Sequence, residues 1–367
     1  MTRLGLAAYR ASFLLAPLTA LTLVRGIEWA LADPDRHTWA TWWPVILIYG
    51  VIPVLDLLFG RVQTSFTPDQ RERLSRDRLL RAVPWLCGSA WLGLFAWAFW
   101  RLPELMATLP LVSLVGFTVS LGVIGGILAI NTGHELVHRT NRFERMLGGI
   151  LLSSVCYGVF KVEHVLGHHR YVATAADPAT ARRGESVYAF VPRAVAGVYR
   201  QGWKRAAERA ARQGYAGWAA LLRNEVAQWL GVSVLFGVAA ALLSGAAAAA
   251  LVVFLGMSAV AIAELEVVDY IEHYGLVRQV DASGRVEAVG AQHSWDYSGW
   301  LTNAFLLNLQ RHSDHHLHAG RPFAALESRP EAPQLPASYS VMILSALLPP
   351  LWRALIHPRL DRVILRS

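Results

Sequence analysis

Residues 309–318 read LQRHSDHHLH, and four of the chain's 13 histidines fall inside them. The other histidines are also bunched. His134 and His138 lie in NTGHELVHRTNR, and His164, His168 and His169 in KVEHVLGHHRYVAT. Side chains four apart on a helix project from one face, about 40° apart, so His134 and His138 can reach one metal ion, and so can His164 and His168. His169 is rotated by about 100° and can reach a second ion or the far side of the first. His312, His315 and His316, at i, i+3 and i+4, can form one patch. His273 stands alone in EVVDYIEHYGL.

Bunched imidazoles in an apolar chain are costly unless they are solvated, hydrogen-bonded or bound to metal. HELVH resembles the zinc-protease motif H-E-x-x-H, with Glu135 as base, but that reading leaves the other clusters unexplained. Nine ligands exceed the capacity of one ion and predict two. Imidazole suits zinc, copper, iron or nickel, so the ligand type alone does not choose. A closed structural zinc site typically includes cysteine, and neither Cys87 nor Cys156 falls within a histidine cluster. Nine neutral ligands around two divalent ions leave a charge of about +4 to compensate. Glu135, Glu163, Glu272 and Asp314 each adjoin a candidate ligand and are expected to accept distal imidazole N–H groups; the alternative is an ion pair with Arg139 or Arg170. His318 is expected in an outer or surface role, and His293 and His357 have no histidine neighbours.

The elements that must position these rings are apolar. The chain is 54% hydrophobic and 16% charged, its mean hydropathy is +0.35, and it has 14 tryptophans, as interface anchoring needs. Stretches long enough to span a bilayer fall at about 10–31, 39–60, 84–101, 108–130, 226–246 and 247–266. The first resembles a signal peptide but lacks a clear cleavage site, so it is read as a retained helix. Segment 60–81 carries six Arg and segment 131–225 carries 14 Lys or Arg, whereas the opposite connections are poor in both. The positive-inside rule then places both termini and all nine histidines on the cytoplasmic side, with His37 outside. The expected fold is all-α and integral to the membrane: six transmembrane helices and a cytoplasmic helical cap holding a histidine-rich dimetal site. Residues 1–367 are expected to form one membrane-embedded unit, with metal-binding regions 131–225 and 267–367. The net charge of +8 comes with no nucleic-acid motif, and no disulfide framework is implied.

HELVHR, EHVLGHHRYVATAADPATARRGES, YIEHYGL and LQRHSDHH together resemble the integral-membrane alkane 1-monooxygenases of the membrane fatty-acid desaturase and hydroxylase superfamily. YGVIPVLDLLFG (49–60) and LPASYSVMILSALLPPLW (335–352) are weaker echoes, so the likeness runs from about residue 40 to the C-terminus. Histidine boxes alone indicate the superfamily; EHYGL and LQRHSDHH point to the hydroxylase branch. The resemblance implies a non-haem diiron centre ligated by His134, His138, His164, His168, His169, His273, His312, His315 and His316. It also implies O2 as oxidant, terminal hydroxylation of alkanes and a bacterial inner-membrane location. Asp269 stands where the family often has Asn, and Phe323 where Tyr is common.

An unpolarised C–H bond yields to no acid, base or nucleophile side chain, so a cofactor must break it. A greasy tunnel from the bilayer, lined by the second span and gated by Ile48 or Trp43, is expected to deliver the hydrocarbon. The chain carries no flavin, nicotinamide or iron–sulfur motif, so its electrons come from outside. The resemblance implies a rubredoxin fed from NADH by a reductase, or a ferredoxin-type donor as in relatives that oxidise aromatic methyl groups. The Arg-rich segment 182–212 can steer an acidic carrier or contact anionic lipid. A desaturase or other lipid hydroxylase remains an alternative within enzymes. A histidine-lined transporter is disfavoured because its ligands would lie near mid-bilayer with access to both sides.

Overall fold

In a computed structural model the described residues are 3–365; the chain ends, whose side of the membrane the charge pattern predicts, lie outside them. The regular secondary structure of the described residues is all helical, with no strands and only three isolated bridges. A short α1 (Arg3–Ser12) precedes five helices long and apolar enough to cross a membrane. These are α2 (Leu15–Ala32), α4 (Arg78–Thr108), α5 (Leu111–Val137), α9 (Glu225–Ser244) and α10 (Ala247–His273). A sixth is a pair, Pro34–Thr41 and α3 (Trp43–Phe59), bent by 49°. Pro44 opens the second member, and with no N–H to give it cannot continue the preceding turn.

These helices outrun the hydrophobic stretches that foretell them. The stretch 84–101 becomes α4, begun by Asp77, whose carboxylate accepts the backbone N–H groups of Leu79 and Leu80 at 3.0 and 3.2 Å. The stretch 108–130 extends to Val137, and 247–266 extends to His273. His134 and His273 therefore lie on the last turns of spanning helices rather than beyond them. Hydropathy falls where polar ligands begin, but the helix does not end there.

Beyond the spans come α6 (Arg142–Ser153), a helical stretch α7 (160–171), α8 (Val187–Arg212), α11 (His312–Leu317), α12 (Tyr339–Ala346) and α13 (Pro349–Ile364). One apolar core joins α2, α4, α5, α9 and α10. A second joins the start of α8 and the end of α10 to α12 and α13 through Phe190, Tyr270, Trp295, Tyr339 and Trp352. The histidines come together between these two cores.

Candidate metal centre

Nine imidazoles from four segments meet in two abutting groups. His134, His138, His164, His169 and His315 form the first, and His168, His273, His312 and His316 the second, with the ring nitrogens of each within 4.8 Å of one another. In the first group the Nε2 atoms of successive pairs (His134–His315, His315–His169, His169–His164 and His164–His138) lie 3.0, 3.1, 3.0 and 3.1 Å apart. In the second, His168–His316, His316–His312 and His273–His312 are 3.2, 2.9 and 3.1 Å apart. Two nitrogens held by one ion at about 2.0–2.1 Å, at nearly a right angle, lie about 3 Å apart. The groups touch where the His169 and His316 rings approach to 4.5 Å between centroids.

The helices explain the convergence. Within α7 the turn His164–His168 is a π-turn. Its extra residue swings His169 back towards the face of His164, so these two share the first group and His168 turns to the second. The α-helical spacing expected from sequence pairs His164 with His168 instead. The patch His312, His315 and His316 is likewise divided, because α11 lies between the groups and offers His315 to one side and the other two rings to the second.

α11 is held from outside. Asp56, at the end of α3, accepts the backbone N–H groups of Leu301 and Thr302 and the Thr302 hydroxyl at 3.0, 3.2 and 2.6 Å, capping the helix Trp300–Phe305. Leu307 and Asn308 then turn through positive φ, with the Asn308 amide donating to the Phe323 carbonyl at 2.9 Å. Asp296 accepts the Ser313 N–H and hydroxyl at 2.7 and 2.5 Å, fixing the start of α11.

Neutral imidazoles are the form that binds metal. Burial first, and the neighbouring rings second, hold His138 down at about 3 and keep His164, His169, His312, His315 and His316 well below the ordinary histidine value. His168 moves the other way. Burial alone would lower it, but the Asp177 carboxylate, 3.0 Å from its Nδ1, more than offsets this and makes it the more basic ring. His273 Nδ1 donates to the His293 carbonyl at 3.1 Å, which turns its Nε2 inward. With Nδ1 groups directed outward, nitrogen lone pairs face each other across buried space. A bound cation resolves that arrangement, so the donor set fits a metal ion at each group.

Of the four expected outer carboxylates, only Glu272 approaches a ligand ring, with Oε1 3.2 Å from His312 Nδ1. That oxygen also accepts the Tyr339 hydroxyl at 2.7 Å. Glu135 pairs with Arg139, one turn away, and accepts the Phe323 N–H. Glu163 faces Arg205 at 3.9 Å and is raised to about 7, chiefly by burial. Asp314 binds Arg321 and Arg329, with His318 Nδ1 at 3.2 Å. A neighbour on a helix points about 100° away, towards whichever cation that face meets. The carboxylate that sequence reasoning missed is Asp177. It reaches His168 because the loop after α7 folds back, with Ala173 at positive φ and Thr180 donating to Asp177 at 2.6 Å. Its only signal was its place in the stretch that also carries the HH pair.

An apolar cavity reaches the ring edges of His134, His164 and His312, between Ile48, Ile52, Ile127, Val268 and Ile343. Ile48 lines it; Trp43 does not, standing edge-on to Trp29 with ring centroids 6.0 Å apart.

Membrane-length helices and nine imidazoles, three at the ends of those helices and six on shorter elements beyond them, define a class of membrane protein that can hold metal. Residues 108–345 match the family described as fatty acid desaturase. Alkane 1-monooxygenase 2 of Alcanivorax borkumensis is 39% identical, covering 98% of this chain and 91% of that one. Alkane 1-monooxygenase 2 of Pseudomonas aeruginosa is also 39% identical, over 90% and 86%. The xylene/toluene monooxygenase hydroxylase component of Pseudomonas putida is 30% identical over 66% and 63%. The chain belongs to the fatty acid desaturase family, in its alkane 1-monooxygenase branch.

Proposed function

We propose that this chain is a membrane alkane 1-monooxygenase that inserts one oxygen atom of O2 into the terminal C–H bond of a hydrocarbon. It is proposed to work as one membrane-embedded unit, with the metal end facing the cytoplasm across a bacterial inner membrane. The nine histidines would hold two iron ions, one in each group. When bound, the irons would supply the redox chemistry for O2 and an unpolarised C–H bond that no side chain can provide. The observation that carries the reading is the opening of a mainly apolar cavity onto both groups, at His134 and His164 on one side and His312 on the other.

The chain's own residues have definite tasks in this scheme. Ile48, Ile127 and Val268 give a hydrocarbon dispersion contacts and exclude water. The five-ring and four-ring groups fix the ions, and Asp177 and the His293 carbonyl fix the orientation of His168 and His273. Electrons would come from a separate carrier, a rubredoxin or a ferredoxin-type protein, fed from NADH.

The test uses purified full-length protein loaded with iron, with O2, NADH, the carrier and its reductase, against n-alkanes of graded length and methylated arenes. Two irons per chain and primary alcohols from alkanes are expected. Intact iron content with no alcohol from any alkane would overturn the reading, and activity on arene methyl groups alone would replace the substrate class.

A further inference from the structure

A second cavity, of about 420 Å3, lies between α1, the segment after α3 and the helix Trp300–Phe305. None of the nine ligand histidines lines it. Its wall carries Arg311 and Asn303, both buried. Arg311 Nη1 donates to the Leu326 carbonyl at 2.7 Å and Nη2 to the Thr64 hydroxyl at 2.8 Å, while Nε is buried and has no partner. Both hydrogen bonds end on neutral oxygens, and among the described residues no carboxylate lies within 4.0 Å of this guanidinium. Asp296 senses its charge but gives both oxygens to Ser313. The Asn303 amide nitrogen donates to the Tyr297 and Gly299 carbonyls at 3.2 and 2.7 Å, and its Oδ1 is buried without a donor. The wall therefore holds a permanent cation that lacks an anion and an amide oxygen that lacks a donor. Such groups are costly to bury unless a partner arrives.

The rim of the cavity faces lipid. α3 ends in Leu57, Leu58 and Phe59, all exposed, and the Phe59 ring lies 5.2 Å from that of Trp300, a lining residue. Exposed Val62 continues this strip onto the cavity wall, and Phe13, just before α2, closes the wall beside α1. An apolar track thus runs from the end of a membrane helix to a buried positive charge. Basic pockets between membrane helices suit lipid headgroups. A free inorganic anion would use the charge but not the track, and a hydrocarbon the track but not the charge.

We propose that this cavity seats one glycerophospholipid whose headgroup carries an N–H or O–H donor. Its phosphodiester pairs with the Arg311 guanidinium, its headgroup ammonium or hydroxyl donates to Asn303 Oδ1, and its acyl chains lie along Val62, Trp300 and Phe59. No covalent bond is made or broken. Arg311 directly precedes His312, so an occupied site braces the start of α11, which supplies both metal groups. Phosphatidylethanolamine and phosphatidylglycerol meet both polar requirements. Phosphatidylcholine, whose trimethylated nitrogen donates nothing, meets only the first. The site stands whether or not the histidines carry out oxygenation.

The test uses metal-free full-length protein in detergent and follows its melting temperature. The ligands added are dioctanoyl phosphatidylethanolamine, phosphatidylglycerol or phosphatidylcholine, or inorganic phosphate. The first two are expected to raise the melting temperature with saturation. The choline lipid is expected to bind about tenfold more weakly, as the loss of one buried hydrogen bond requires, and inorganic phosphate at equal concentration to give no rise. Ala8 is exposed on α1 and lines the cavity, so it can be changed without breaking a buried contact. Ala8→Glu sets a carboxylate in competition with the phosphodiester and weakens the first two lipids about tenfold, whereas Ala8→Gln leaves them nearly unchanged. A second readout needs no added lipid: native mass spectrometry of protein purified in mild detergent shows one retained phospholipid in the wild type and in Ala8→Gln, and none in Ala8→Glu. No response to any lipid, or responses and retention equal in Ala8→Glu and the wild type, overturn the proposal. Inorganic phosphate matching the lipids would make this a free-anion site, and a choline lipid bound as tightly as the other two would remove the headgroup donor; either result overturns the proposal.

Discussion

Asp177 supports His168 through a single 3.0 Å contact, and that contact separates the two metal groups experimentally. Outer carboxylates of this kind set a ligand's tautomer and basicity, and losing one costs about 10–100-fold in metal affinity. Asp177→Asn is expected to weaken binding at the group containing His168 by that factor and to leave the five-ring group nearly unchanged. A cobalt or iron titration resolving two affinities checks this. The buried rings also predict an acid response. His138, His164, His169, His312, His315 and His316 are all depressed when folded, against an ordinary value of 6.5. Below pH 6.5 the unfolded chain binds more protons than the folded one, so the stability of the metal-free protein is fully present above that pH. It falls progressively towards pH 3, where His138 itself titrates. His168 opposes this trend, being raised by Asp177, but it is one ring against six. Melting temperatures of metal-free protein should be flat from pH 8 to 6.5 and decline below. At this scale the ligands were legible because histidines at helical spacing in an apolar chain have few other uses. Asp177 was not, because its contact depends on how the loop after α7 folds.

At the level of elements, sequence pattern gives the helices but not the irregularities that aim their side chains. The i, i+4 rule correctly places His134 and His138 together, both near the end of α5. It fails at His164, His168 and His169 because a π-turn carries no clear sequence mark. The echo YGVIPVLDLLFG was legible as likeness but not as function. Its Asp56 caps Trp300–Phe305 and so supports the approach to α11, which supplies both metal groups. Asp56→Ala leaves two buried N–H groups and a hydroxyl without their acceptor, at a cost of about 1–3 kcal/mol. Because α11 is shared, the expected signature is a lower melting temperature together with lost metal at both groups. Asp56→Asn, which keeps one acceptor oxygen, should lose less of each. Metal lost from one group alone would show that α11 is held in place without this cap.

Across the whole molecule, apolar periodicity foretold six spans. The structure gives five continuous ones and a bent sixth that begins at Pro34, earlier than the hydropathy suggests. The lipid-facing surface is legible because its composition is set by solvent: α9, one of the least buried spans, exposes Val234, Leu235 and Leu242. Charge has its own asymmetry. Arg182, Arg200, Lys204, Arg209, Arg212 and Arg223 are exposed along α8 and its flanks, on the end of the molecule that the charge pattern assigns to the cytoplasm. Two of the nearby acids, Glu208 and Glu225, already face Lys204, Arg209 and Arg212 at 3.6–4.0 Å. A carrier protein of acidic surface would be drawn to the remaining positive field before contact, which affects encounter rate more than the chemistry that follows. The Debye length shrinks from about 10 Å at 0.1 M salt to about 3 Å at 1 M, so the attraction weakens steeply over that range. kcat/KM for the electron carrier should therefore fall at least several-fold between these concentrations, while KM for the hydrocarbon, which enters from the apolar side, stays put. Replacing Arg200, Lys204 and Arg212 together by Gln should flatten the salt dependence. A carrier rate indifferent to salt in the wild type would assign this basic face to anionic lipid headgroups instead.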